Sequence, residues 1–185
     1  LRFGTVCGHS PVQRTELMVN NMAKTALTDK RIYISNPKTR RAILYNIDLS
    51  SVIIKLVSLY SRKQYDGMID DNKLSGIYNL SSVNNTVGDL GDHVLQIVRD
   101  YDRSLRDVKI EEFEAPPSNY SFYMDTTKIS RLVGRSTFRS NPIEAMVLDL
   151  LHGYPYNDRI MNEHNNEYFC TEGTRDEYID FSKGV

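Results

Sequence analysis

Apolar positions change their period several times along this chain, and each change marks an element. Residues 1–6 read as a buried strand and 7–11 as a sharp turn, where Gly8 permits positive φ and Pro11 presets φ. Gly4 inside that strand predicts a close approach to its backbone. Met18, Met22 and Ala26 recur every fourth residue, with Leu17 and Leu27 beside them, which predicts a helix over 15–28. Residues 31–35 and 41–47 read as strands joined by the turn 36–39, and together suggest a small hairpin. Asp48 then reads as the N-cap of a helix. Its face carries Val52, Ile53, Leu56, Val57 and Tyr60, a stripe that predicts firm packing.

The charged stretch 61–75 reads as a surface loop, and 76–80 as a short buried strand closed by Ser81 and Ser82. Thr86, with Asp89 three residues on, opens a helix whose apolar face is Leu90, Val94, Ile97, Val98 and Tyr101. The order strand, turn, helix therefore occurs from residue 1 and again from residue 76, which is how parallel α/β sheets are assembled. Residues 108–113 read as a strand, 114–119 as a proline-containing loop, and 120–124 as an aromatic extended segment. Asp125 can cap a short helix carrying Ile129, Leu132 and Val133, ended by Gly134. Asn141, Pro142 and Glu144 form a helix start, and that helix buries Ile143, Met146, Val147, Leu150 and Leu151 and stops at Gly153. The remaining 154–185 read as a polar tail.

Composition narrows the chemistry. With 185 residues, 40% hydrophobic and 25% charged, the chain is ordinary for a soluble globular domain, and a net charge of −1 gives no global field for nucleic acid or an anionic membrane. The basic cluster Lys38 to Arg41 lacks a base-stacking platform, so RNA binding is not the expectation. Two cysteines, Cys7 and Cys170, make neither a disulfide framework nor a metal set, and a reduced, cytoplasmic setting is the default. No apolar run approaches a membrane span. His9 reads as a solvent-facing loop residue, Cys7 as a packing residue, and His152 as a complement to a helix C-terminus. His93 and His164 have no ligand-spaced partners. Asp48, Asp125 and Glu144 read as helix-start residues without catalysis. Asp70-Asp71 lacks the oxygen periodicity of a calcium loop.

Several segments, in order, resemble one family. Leu1-Arg-Phe-Gly-Thr-Val6, then Gly8, Ser10-Pro11 and Glu16-Leu-Met-Val-Asn20, is similar to the segment after the catalytic tyrosine and lysine of extended short-chain dehydrogenase/reductases, the NAD(P)-dependent nucleotide-sugar epimerases and dehydratases. Arg41 to Leu49, Gly76 to Ser82 with Thr86-Val87, Tyr120 to Ile129, and Asn141 to Glu144 resemble later segments of that family. The resemblance covers most of 1–153 and implies an α/β fold: the last strands of a Rossmann-type parallel sheet plus a small α+β substrate-binding lobe. It also implies that position 1 falls in the middle of the family's fold, within a strand.

The resemblance implies roles for particular positions. Arg41 would hold the nucleotide-sugar diphosphate, since a planar fork of donors suits phosphate oxygens. Ile43 would pack near the nucleotide, and Val87 would line the base pocket. Glu16 and Leu17 would offer backbone N–H groups at a helix start. The sequence departs from the family as well. Tyr120 and Tyr123 stand where an arginine is usual, and Cys7 and His9 replace the Tyr and Pro common in the first turn. There is no Gly-x-x-Gly-x-x-Gly and no Tyr-x-x-x-Lys.

The expectation is thus a substrate-binding half. NAD or NADP would be bound mainly by an N-terminal Rossmann half, or by a complementing chain, that also supplies the catalytic residues. Pairing with a second copy is left open. A catalytically silent binding or assembly protein built on the same fold is the alternative. Alone, such a half should leave an unpaired strand edge and apolar faces in water.

Overall fold

The computed structural model describes residues 1–11, 13–66, 75–116 and 120–163. In chain order the elements are β1 (Arg2–Phe3), β2 (Thr5–Cys7), α1 (Met18–Thr28), β3 (Arg31–Ile34), β4 (Arg40–Tyr45), α2 (Asn46–Asp66), β5 (Asn79–Leu80), β6 (Val83–Thr86), α3 (Val87–Tyr101), β7 (Lys109–Glu112), α4 (Thr127–Val133) and α5 (Pro142–Glu163). Short 3-10 turns lie at Arg103–Leu105 and Arg135–Thr137.

The opening segment is one extended run that changes partner at its middle. β1 pairs in parallel with β5, and β2 pairs in parallel with β4. The change falls at Gly4, whose N–H donates to Leu80 O at 2.9 Å. A Cβ at Gly4 would lie 2.6 Å from Ala42 O. The close approach expected there is therefore that of a neighbouring strand. On its other edge β4 takes β6 antiparallel, from Arg40 opposite Thr86 to Ile43 opposite Val83. β6 has no counterpart in the sequence pattern, because Val83-Asn-Asn-Thr86 lacks an apolar alternation. β1 and β2 each have one paired edge among the described residues.

Alternation along β4 separates two apolar clusters. Ile43 and Tyr45 enter the larger one, with α1, α3, α5 and β3, through Met22, Leu90, Val94, Met146 and Leu151. Leu44 enters the smaller one, with Val52, Tyr78, Leu80, Ile129 and Val133. Leu90, Val94 and Val98, and Ile143, Met146, Val147, Leu150 and Leu151, are buried as predicted, whereas Tyr101 on the first of these faces is exposed.

Five expectations are corrected. β3 and β4 do not form a hairpin. β3 pairs in parallel with β7, so the two strands belong to different sheets. α1 starts at Met18, not Thr15, because 13–17 are spent on the turn. α2 begins at Asn46 directly from β4 and runs to Asp66, into the stretch expected as loop, while 67–74 lie outside the described residues. Asp48 is consequently inside the helix rather than at its cap. It is buried, accepting from Ser82 Oγ at 2.5 Å and Arg139 N at 3.0 Å. Last, α5 does not stop at Gly153. That glycine lacks a Cβ because the His9 ring occupies the space a Cβ would need. Residues 164–185 lie outside the described residues.

The packing expected of α2 is also only half realised. Val52 is fully buried, but Ile53 is 43% exposed, Ile54 70%, Val57 60% and Tyr60 61%. One edge of the helix reaches the smaller cluster and the rest of its apolar stripe faces outward. Phe3 and Leu1, at the start of the opening strand, are exposed as well.

Replacing Gly4 with Ala should destabilise the fold by about 1–3 kcal/mol, the usual cost of forcing atoms into packed space. Thermal unfolding of the variant checks this, and an unchanged midpoint would contradict the close approach.

Candidate functional site

The turn after β2 is built by side chains that bond to backbone. Asn20, buried on α1, accepts from Gly8 N at 3.0 Å and donates from Nδ2 to Arg14 O at 2.9 Å. Gln13 donates to Gly8 O and accepts from Ser10 N. Gly8 has φ +127°, which a side chain would strain. Asn46, at the start of α2, donates to His9 O at 2.6 Å. The turn is thereby held against both helices. His9 is half-buried against the α5 backbone at Gly153, which corrects the solvent-facing expectation.

The sequence-singled residues divide into a group that meets and one that lies to the side. Ile43 and Val87 are buried in the larger cluster, and Leu17 packs against its rim. Arg41 lies two residues before Ile43 on β4 and so projects to the same face of the strand, half-buried. Its Nη1 donates to Arg40 O at 3.4 Å. Glu16 precedes Leu17, but its carboxylate is exposed and bound to Arg14 Nε at 2.7 Å. Its own backbone N–H, and then Arg14, hold that carboxyl below its ordinary range. Leu17 caps α1 through its backbone, and its O accepts from Asn21 N at 2.6 Å. α3 starts at Val87 with Thr86 Oγ1 accepting from Asp89 N, as the sequence predicts.

The segment leading to α4 lies along the start of β4. Phe122 N donates to Arg40 O at 3.3 Å, and Ser121 Oγ accepts from Arg40 N at 3.0 Å. Asn84 on β6 clamps Met124 through both backbone groups. Tyr120 and Tyr123 are 76% and 64% exposed. Asp125 Oδ1 accepts from Thr127 N at 2.8 Å, the expected role at the start of α4.

Groups with acid–base potential are held inert. Burial pushes the Cys7 thiol up to about 11, so it is a packing residue, as expected. Tyr45 donates from its OH to Asp149 Oδ2 at 3.1 Å. Burial first, and then the Asp149 carboxylate, push it up to about 12. His152 stands edge-on to Tyr101, with ring centroids 5.1 Å apart, instead of closing a helix end. Among the described residues no group of three or more His, Cys, Asp or Glu could hold a metal ion, and no helix is long and apolar enough to cross a membrane. The Tyr45–Asp149 and Asp48–Ser82 pairs were not predicted. Each joins residues far apart in sequence, with no spacing signal between them.

No protein-family pattern matches this chain, and no characterised protein matches it by sequence. Solved structures do match by shape. An NAD-dependent NDP-hexosamine 5,6-dehydratase involved in tunicamycin biosynthesis aligns with TM-score 0.56 at 21% identity, covering 84% of this chain and 45% of that one. UDP-glucuronic acid 4-epimerase from Bacillus cereus, in complex with UDP-glucuronic acid and NAD, aligns with TM-score 0.57 at 17% identity, covering 86% and 44%. UDP-N-acetylglucosamine 4-epimerase from Methanobrevibacter ruminantium M1 gives 0.59 at 11%, covering 84% and 45%. This chain shares their fold. It spans less than half the length of each, and the α/β expectation with parallel strands of the Rossmann type holds.

The Tyr45 shift has a sign that can be checked. The phenol ionises near pH 10 in an unfolded chain and near 12 here, so between those values the unfolded state has released a proton that the folded state retains. The stabilisation is complete below pH 10 and is lost as pH rises through 12. Chemical denaturation from pH 9 to 12 should show a steeper fall for the wild type than for Tyr45→Phe. Parallel curves would remove the assigned environment.

Proposed function

We propose that this chain binds a nucleotide-sugar as the substrate half of an NAD(P)-dependent epimerase or dehydratase. One observation carries the reading. Among the described residues β1 pairs with β5 alone, which leaves its other edge open, and the outward stripe of α2 beside the smaller cluster is apolar. Those are the surfaces a further parallel strand and its helices would cover. The matched structures, twice as long and similar over most of this chain, support it.

In this reading Arg41 clamps the diphosphate and Leu17 faces the nucleotide, with Ile43 and Val87 backing that wall from the core. The backbone N–H of Leu17 contributes at the start of α1, and that of Glu16 joins it on leaving its own carboxylate. The chain's contribution to rate would be positional: it would fix the reacting sugar carbon against a redox partner. NAD or NADP does not fit the residues present. The strand–turn–helix at residues 1–28 has the amide of Gly8 already bonded to Asn20, and no glycine-rich loop follows it. The dinucleotide and the proton-transferring groups therefore belong to a completing Rossmann half or chain, and no step of hydride transfer is assigned to this one.

A second reading, a silent binding or assembly protein, draws on Tyr120 and Tyr123 standing in place of the family's arginine and on the inert state of Cys7 and Tyr45. A cytoplasmic location is part of the first reading.

Titrating the completed protein with UDP-glucuronic acid separates the two. Arg41→Ala should weaken binding by roughly tenfold to a hundredfold, the loss of about 1.5–3 kcal/mol expected for a charge-assisted hydrogen bond. Equal affinity of variant and wild type would sink the diphosphate role.

A further inference from the structure

A cleft of about 520 Å³ lies between the corner that follows β5 and the segment from the start of α4 to the 3-10 turn after it. That volume is in the range of small-molecule sites. Its lining residues include Ser81, Ser82, Thr126, Ser130, Arg131 and Arg135. We propose that this cleft binds a phosphate monoester carried on a small polyol, at a site separate from the nucleotide-sugar face.

The two arginines reach one opening because the chain turns between them. Gly134, at φ +85°, ends α4 and starts the 3-10 turn, so the two arginines come from consecutive but differently directed segments. Neither is in a salt bridge among the described residues. Two planar donor forks at one cleft match the oxygens of a dianionic phosphate.

The carboxylates nearby do not cancel this charge from inside the cleft. Asp48 is buried beneath Ser82, and its oxygens are taken by Ser82 Oγ and Arg139 N. Asp125 is held by Thr127 at the rim, near enough to Arg131 to feel its charge.

The hydroxyl wall is pre-oriented. Ser82 Oγ accepts from Tyr45 N at 2.9 Å while donating to Asp48, which fixes it. Ser81 is buried and its Oγ accepts from Asn84 Nδ2 at 3.3 Å, so its proton points elsewhere. Phe138 adds an apolar surface against which the carbon face of a sugar ring can lie. Fixed hydroxyls, one aromatic wall and paired guanidiniums suit a phosphorylated sugar better than a bare anion or an apolar ligand.

The site sits on the Leu44 side of β4, with the smaller cluster, and Arg41 sits on the Ile43 side, so the two can be tested apart. The experiment is calorimetric titration of the full protein with glucose 1-phosphate, inorganic phosphate and glucose. Wild type and Arg41→Ala should bind glucose 1-phosphate alike. The double variant Arg131→Gln/Arg135→Gln should bind it at least about tenfold more weakly, as the loss of charge-assisted bonds predicts, with an unchanged circular dichroism spectrum and unfolding midpoint. Inorganic phosphate should bind more weakly than the ester, and glucose should give no heat. The proposal is overturned by absent binding of the ester, by equal binding to the double variant, by loss of binding in Arg41→Ala, or by inorganic phosphate binding as tightly as the ester.

Discussion

The close contact of Gly4 with the backbone of Ala42 governs both faces of the molecule. It lets one six-residue strand serve two neighbours, β5 at its start and β4 at its end. β5 then leads into the corner at Ser81 and Ser82, and β4 leads without a loop into α2. Any side chain at position 4 would push β4 away from the strand and open the boundary between the two apolar clusters. The larger cluster carries the α1–α3–α5 layer, and the smaller one carries α4 and one edge of α2.

Polar ties fix what apolar burial leaves undetermined. Burial is non-directional, so it cannot by itself set the angle of a turn or the height of a corner. Asp48 does so for the 81–82 corner and the chain at Arg139, and Asn20 does so for the turn at Gly8. In each case one buried side chain bonds two separate segments, and removing it would leave buried donors without acceptors, which costs more than the bond contributes. The arrangement leaves a polar cleft beside the smaller cluster, supported by α4 and the corner at Ser81 and Ser82.

Much of the fold was legible in the chain because its helices announce themselves. Leu90, Val94 and Val98 recur at helical spacing, and Thr86 and Asn141 stand where helices begin. Arg41, Ile43, Leu17 and Val87 could be singled out only through segment resemblance, since nothing in their spacing marks them as a group. Strand pairing was the weak point. Two short runs five residues apart look like a hairpin, yet β3 pairs with β7, some eighty residues on, because sheet partners are chosen by burial across the whole domain. β6 was invisible for a related reason: its backbone pairs while its side chains show no alternation. The α2 stripe was read correctly as apolar and wrongly as packed, because a pattern shows that a face should be covered without showing what covers it. Arg131, Arg135 and the two serines meet only through the tertiary fold, so no local motif could have flagged their cleft.

β1, the start of the strand Arg2–Cys7, has a second edge open to another strand. The amides of Arg2 and Gly4 bond to the segment at Tyr78 and Leu80. Alternation turns that of Phe3 to the opposite edge, which is unpaired in β1 among the described residues and is taken by β4 from Thr5 onward. Residue-resolved hydrogen exchange should find the Phe3 amide exchanging rapidly in this chain by itself. Once a Rossmann half is supplied, it should become protected to the level of Gly4. Protection in the isolated chain, or unchanged rapid exchange in the completed protein, would contradict the account.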